Sequence, residues 1–430
     1  MTTTVMTPHT AGRALAVAEA IADRVATPPL AAQWIRPAHQ TSSGPLSLGR
    51  GAAGIALLHI ERARTGLTDW ATAHRWLAHI TAGGISTAPG NGLYDGPPAV
   101  AYALHLAATV RPGSYQRALA TLDTHISTSL RDTVAAVHAR IERGDLPRLA
   151  EWDLISGITG TTRYLLDRDP TQPAVQQALQ CLVRITEPII HNGQPLPGWW
   201  THLDPASRPN PDFNGGHANL GLAHGITGPL ALLATAAQHG ITVPHHTEAI
   251  QRICHWLDTW QQTSPTGPWW PQWIHRTEHH THHLDNQPPP RPSWCYGAAG
   301  QAHTHHLAGR TLRDQSRIQL ARDALYAAAN EDSPAQLDEP NLCHGLAGLI
   351  HTIRHTAADH PTSDQDTYAP HLLTRLLDTL PPEPERAAET LLAAGGPEFL
   401  EGAVGVALTL LSAVIDPTLE GRWDTCLLLR

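Results

Sequence analysis

The 430-residue chain has no lysine; all 29 of its basic residues are arginine. Against 38 acidic residues this leaves a net charge of −9, the wrong sign for a surface that neutralises phosphates, so no nucleic-acid partner is expected. The arginine-only usage, beside much alanine, proline and histidine, reads as the codon bias of a GC-rich genome. Cysteine is sparse and odd in number: Cys181, Cys254, Cys295, Cys343 and Cys426. Such a set does not describe a disulfide framework and fits a cytoplasmic, reducing setting. No run of about 18 apolar residues occurs, so no membrane span is expected. The opening Met1–Pro8 segment lacks a basic cluster followed by an apolar run, so no secretory signal is expected either. Charged residues make up only 16% against 41% hydrophobic, the balance of a globular chain. No break in composition divides it, so residues 1–430 read as one repeat domain.

What the chain has in quantity is a short motif, Gly-x-x-Gly followed by apolar and small residues. It occurs at Gly51–Gly54, Gly157–Gly160, Gly225–Gly228, Gly297–Gly300, Gly345–Gly348 and Gly402–Gly405, with a degenerate copy at Gly96-Pro-Pro-Ala99. The intervals between first glycines run from 45 to 72 residues, each enough for two helices and their loops. Each copy is expected to open an apolar helix buried on most faces. The stretches between are more amphipathic, as in Tyr115–Ser129, Thr247–Gln261 and Gln315–Asn330. The first glycine is expected to permit the turn into the helix and the second to let neighbouring helices pack closely. Pro195–Pro211, Pro265–Pro271 and Pro288–Pro292 are expected to be loops, whereas Pro97 and Pro98 suit the first turn of a helix. The expected fold is all-α, an α/α toroid of seven inner and seven outer helices. The residues preceding the glycines would then gather at one end.

Three copies carry chemistry just before the glycine: His224, Cys295-Tyr296 and Cys343-His344. Cysteine and histidine are preferred zinc ligands, and three protein ligands with an open fourth position mark a catalytic site. Cys295, Cys343 and His344 are therefore the expected zinc ligands, although a single cysteine is more often structural. Both cysteines would precede a helix N-terminus, whose dipole favours thiolate. His224 stands in the same register and is a candidate acid–base group. Asp153 lies four residues before its glycine and suits either a hydrogen bond to that histidine or a helix N-cap. Arg291 could stabilise an oxyanion and Tyr296 could donate a hydrogen bond. The histidine-rich run His275–His283 is expected to be a polar loop without a functional metal.

Taken together, Ala223-His-Gly225, Trp294-Cys-Tyr-Gly297 and Leu342-Cys-His-Gly345 resemble, in order, the motifs of the lanthipeptide cyclases, the LanC family, and its LanC-like relatives. The resemblance runs from Leu48-Gly-Arg-Gly51 to Gly402-Ala-Val-Gly405. It implies an α/α barrel with one zinc ion on Cys295, Cys343 and His344. It also implies His224, Asp153, Arg291 and Tyr296 as the catalytic group. The implied reaction joins a cysteine thiol of a precursor peptide to a dehydroalanine or dehydrobutyrine of the same peptide, giving a (methyl)lanthionine ring for antibiotic biosynthesis. The chain looks like the free-standing class I enzyme, working in the cytoplasm after a separate dehydratase, either free or peripheral to a membrane-associated complex. A LanC-like protein adding glutathione to dehydrated proteins is the alternative within the family. A noncatalytic scaffold holding precursor and dehydratase around a structural zinc is another. An α/α-toroid glycosidase, with Asp95 and Asp153 as its carboxylates, is the rival from outside the family.

Overall fold

All seven motif copies open a helix in the computed structural model, which describes residues 6–34, 44–85, 92–284, 287–330, 337–359, 368–416 and 418–430. These helices are Ala52–Arg64, Gly96–Val110, Ile158–Arg168, Thr227–Gln238, Ala298–Leu312, Leu346–Ala358 and Ala403–Ile415. They are buried nearly all round, as their Ala- and Leu-rich, charge-poor sequences require. Pro97 and Pro98 occupy the first turn of the second, where a missing N–H removes no bond.

The helices between them bury one stripe. His246–Thr259 turns Ala249, Ile250, Ile253, Cys254 and Leu257 inward. Gln315–Ala329 buries Ile318, Ala321, Ala324 and Leu325; Leu320, two residues from Ile318 and so off that face, is only half-buried. The helix expected over Tyr115–Ser129 runs much further, Gln116–Glu142, because nothing in the sequence breaks it before Gly144, whose φ is +73°.

The described chain divides into two compact units. One holds residues 1–122 and 337–425, the other residues 123–336 and 426–430. In the second unit, three antiparallel pairs of three-residue strands are the only strand among the described residues. They are Ile189–His191 with Gln194–Leu196, His217–Asn219 with Trp273–His275, and Gln262–Ser264 with Gly267–Trp269. Two of the proline-rich stretches expected as loops thus carry strand: Pro195 and Pro268 sit in two-stranded ribbons, where a lost ladder bond is tolerated. The histidine-rich run also departs from a loop. It contains the short helix Arg276–Thr281, whose start is capped by the buried Glu278 accepting from the His275 N–H at 2.8 Å.

Five of the first glycines, Gly51, Gly157, Gly297, Gly345 and Gly402, share one extended conformation, with φ between −107° and −121°. Any residue can adopt it, so the expected conformational role gives way to one of space. A Cβ on Gly297 would collide with the backbone of Arg291 and Ser293. The second glycine serves close packing as expected: a Cβ on Gly300 would strike the Trp294 carbonyl and press on Leu222.

Within each unit the pre-glycine loops are chained by backbone hydrogen bonds from copy to copy. In one, Leu154 N–H donates to Ala223 O at 3.2 Å and Ala223 N–H to Cys295 O at 3.1 Å. In the other, Cys343 N–H donates to Leu400 O at 2.8 Å, Leu400 N–H to Gly49 O at 3.1 Å, and Leu48 N–H to Tyr94 O at 2.8 Å. Each copy therefore sets the height of the next.

Candidate active site

This chaining fixes Asp153, His224 and Cys295 on three successive loops of the unit that holds residues 123–336. Asp153 Oδ2 lies 2.6 Å from Nδ1 of His224. The other oxygen, Oδ1, accepts from Ser156 N–H at 2.7 Å. The hydrogen bond to the histidine is thus present, whereas the N-cap expectation is not met: Gly157 caps the helix, and the second oxygen of Asp153 braces the turn that precedes it. The carboxylate is buried, while 33% of the His224 side chain remains exposed. Burial pulls the imidazole pKa down, but the Asp153 carboxylate and the charge of Cys295 outweigh it, and the net shift is upward.

Tyr296 stacks on His224 with ring centroids 6.0 Å apart, and Trp273 meets the tyrosine edge-on at 6.3 Å. Cys295 is buried, its Sγ 3.7 Å from Ser293 Oγ. Arg291 lies exposed at the head of the same loop, four residues before Cys295.

In the unit that holds residues 337–425, Cys343 and His344 precede the helix Leu346–Ala358. The loop is held by Asn341, whose Oδ1 accepts from His344 N–H at 2.9 Å and whose amide donates to Glu339 at 2.7 Å. Glu339 Oε2 in turn lies 2.8 Å from Nε2 of His344. A carboxylate on one ring nitrogen is the usual support of a metal-bound histidine, and with Nε2 so placed Nδ1 is the atom that could bind a metal. The donor chemistry fits zinc. Arg50 is near enough to Cys343 to feel its charge and pairs with Glu401 at 2.9 Å. Burial lowers the pKa of this guanidinium, but Glu401, Glu398 and Cys343 together raise it further.

Reasoning from the sequence missed Glu339 and Arg50. A signal for Arg50 was present. The residue immediately before the first glycine is polar in every copy: Arg50, Asp95, Ser156, His224, Tyr296, His344 and Glu401. Seven polar residues at one position of an otherwise apolar repeat single that position out.

Among solved structures, nisin cyclase matches with a TM-score of 0.73, covering 93% of this chain and 96% of that one at 21% identity. At that identity the likeness speaks to fold alone, and it bears out the all-α, α/α toroid class. No curated protein sequence matches significantly. The family model described as lanthionine synthetase C-like protein matches residues 42–428. Over nearly its whole length, then, the chain belongs to the LanC-like family.

Proposed function

We propose that residues 1–430 act as one cyclase domain that forms (methyl)lanthionine thioethers in a dehydrated precursor peptide. The observation that carries this reading is the His224–Asp153 pair, 2.6 Å apart, on loops chained to that of Cys295. In this proposal Cys295, Cys343 and His344 hold one zinc ion, with Glu339 orienting His344. Zinc bound there would lower the pKa of a substrate thiol and keep its sulfur nucleophilic at neutral pH.

The remaining work falls to the chain's own residues. Addition forms a C–S bond at the β-carbon of the dehydro residue, breaks the C=C π bond and moves the thiol proton to the α-carbon. Asp153 accepts from Nδ1–H, so the neutral His224 presents the Nε2 lone pair to that proton. The same carboxylate stabilises the imidazolium that results, and Nε2–H then returns the proton to the α-carbon. Arg291 would offset the negative charge that builds on the enolate oxygen, and Tyr296 would donate a hydrogen bond beside it.

A noncatalytic scaffold leaves the His224–Asp153 pair without a purpose. A glycosidase would need Asp153 as one of two catalytic carboxylates, whereas both of its oxygens are engaged by His224 and Ser156. The reading places the enzyme in the cytoplasm, free or peripheral to a membrane-associated assembly, after a separate dehydratase. No helix among the described residues is long and apolar enough to cross a membrane.

The test is zinc content by mass spectrometry for the wild type and for Cys295→Ala, Cys343→Ala and His344→Ala. Each folded variant should lose one equivalent relative to the wild type. Undiminished zinc in any of them removes that residue from the proposed site.

A further inference from the structure

One buried cluster plays no part in this chemistry. The helix Leu346–Ala358 carries His351 and His355 one turn apart on the same face. Near the end of the chain, Asp424 is brought against both. Its Oδ2 lies 2.7 Å from Nε2 of His351 and 2.6 Å from Nε2 of His355, and the two Nε2 atoms are 3.2 Å apart. His351 and Asp424 are completely buried and His355 nearly so. Trp423 stacks on His351 at 4.6 Å, and the Tyr102 hydroxyl sits 3.0 Å from the carbonyls of Arg422 and Trp423, anchoring the segment that carries the aspartate. Arg354, on the same helix, directs its guanidinium to Ser412 and to the Asp416 carbonyl at 2.8–2.9 Å.

We propose that His351, His355 and Asp424 bind a divalent first-row transition-metal ion, zinc foremost, at a structural site separate from the cysteine-containing one. Two imidazoles and a carboxylate form a recognised donor set for such ions. Four-coordinate zinc, with bonds of about 2.0–2.1 Å, places its ligand atoms about 3.3 Å apart. The two imidazoles already stand at that spacing, and the carboxylate oxygen need retreat only by about 0.6 Å. A divalent ion would supply positive charge to a carboxylate buried between two imidazoles. The burial of all three side chains marks the ion as structural. It clamps to the C-terminal segment the very helix whose N-terminal end presents Cys343 and His344. Nδ1 of His351 has no hydrogen-bond partner, so the acceptor that usually orients a ligating histidine and tightens a metal site by about 10–100-fold is missing here, and a chelator should strip this ion before the thiolate-held one.

The test is the metal content of the intact wild type, Cys343→Ala, Asp424→Ala and the double variant. Two equivalents are expected in the wild type, one in each single variant and none in the double. An Asp424→Ala protein that retains the wild-type content, or a folded Cys343→Ala protein that holds no metal, overturns the site. Wild type with a single equivalent that only Cys343→Ala removes also overturns it, while leaving the proposed function standing. Should Asp424→Ala not fold, cobalt(II) loaded into the Cys295→Ala/Cys343→Ala protein reads the site directly. Visible d–d absorption without a thiolate charge-transfer band, abolished by His355→Gln, supports it; no bound cobalt overturns it.

Discussion

Asp153 has two oxygens and engages them separately, one with the turn below His224 and one with its ring. Removing its charge while keeping its shape separates the two roles. In Asp153→Asn the amide oxygen can still accept from Ser156, but the attraction that raises the His224 pKa is gone and the burial that lowers it remains. The His224 pKa should therefore fall, seen by NMR titration of the labelled imidazole, and cyclisation should drop by about 10²–10⁴-fold. An unchanged pKa would detach Asp153 from the histidine's chemistry. The sign extends to stability: a histidine whose folded pKa is raised stabilises the fold fully below about pH 6.5, and that contribution is lost as pH rises through the folded value. The sequence left Asp153 balanced between cap and partner because spacing reports a turn but not which oxygen faces where. Glu339 was not legible, since a carboxylate that orients a ligand is recognised only once the ligand's ring is placed.

At the level of elements, the helices were the readable part. A Gly-x-x-Gly before an apolar run, and a 3.6-residue stripe between copies, located the helices well, and only Gln116–Glu142 exceeded its expected length substantially. The reason for the first glycine was not readable, because it lies in the backbone of a loop folded against it rather than in its own φ. The second glycine gives the sharper test. Gly300→Ala pushes a methyl into the Trp294 carbonyl and towards Leu222, and should destabilise by about 1–3 kcal/mol in denaturant unfolding. An unaltered midpoint would mean that these loops yield freely and do not hold their height. The three short strand pairs escaped notice for a related reason. Three-residue strands are too brief to show alternation, and prolines stand in two of them.

For the molecule as a whole, 29 histidines obscure any single one in the sequence, and their burial decides what they do. His59, against the Val25 carbonyl and Trp76, is completely buried and its pKa is pushed down to about 4. Burial, reinforced by His275, lowers His217 to about 4, and burial with Arg317 nearby lowers His305 to about 3. For these the sign is opposite to that of His224. The unfolded chain takes up protons below about pH 6.5 while the folded chain does not, so stability is lost as pH falls, by about 1.4 kcal/mol per pH unit for each such group until its folded pKa is reached. The melting temperature should decline steadily from pH 7 to pH 5, and His59→Gln should flatten part of that slope. A melting temperature constant over that range would contradict the assigned burial. Thioether formation through His224 is checked by counting free thiols. A dehydrated, cysteine-containing precursor peptide is incubated with wild type, zinc-stripped wild type and His224→Ala, then alkylated and weighed by mass spectrometry. Wild type alone should leave fewer alkylatable thiols with no other mass change, while His224→Ala retains its zinc and leaves the thiols reactive. Full thiol consumption by His224→Ala would remove the histidine from the reaction, and none by the zinc-loaded wild type would rule out thioether formation by this chain.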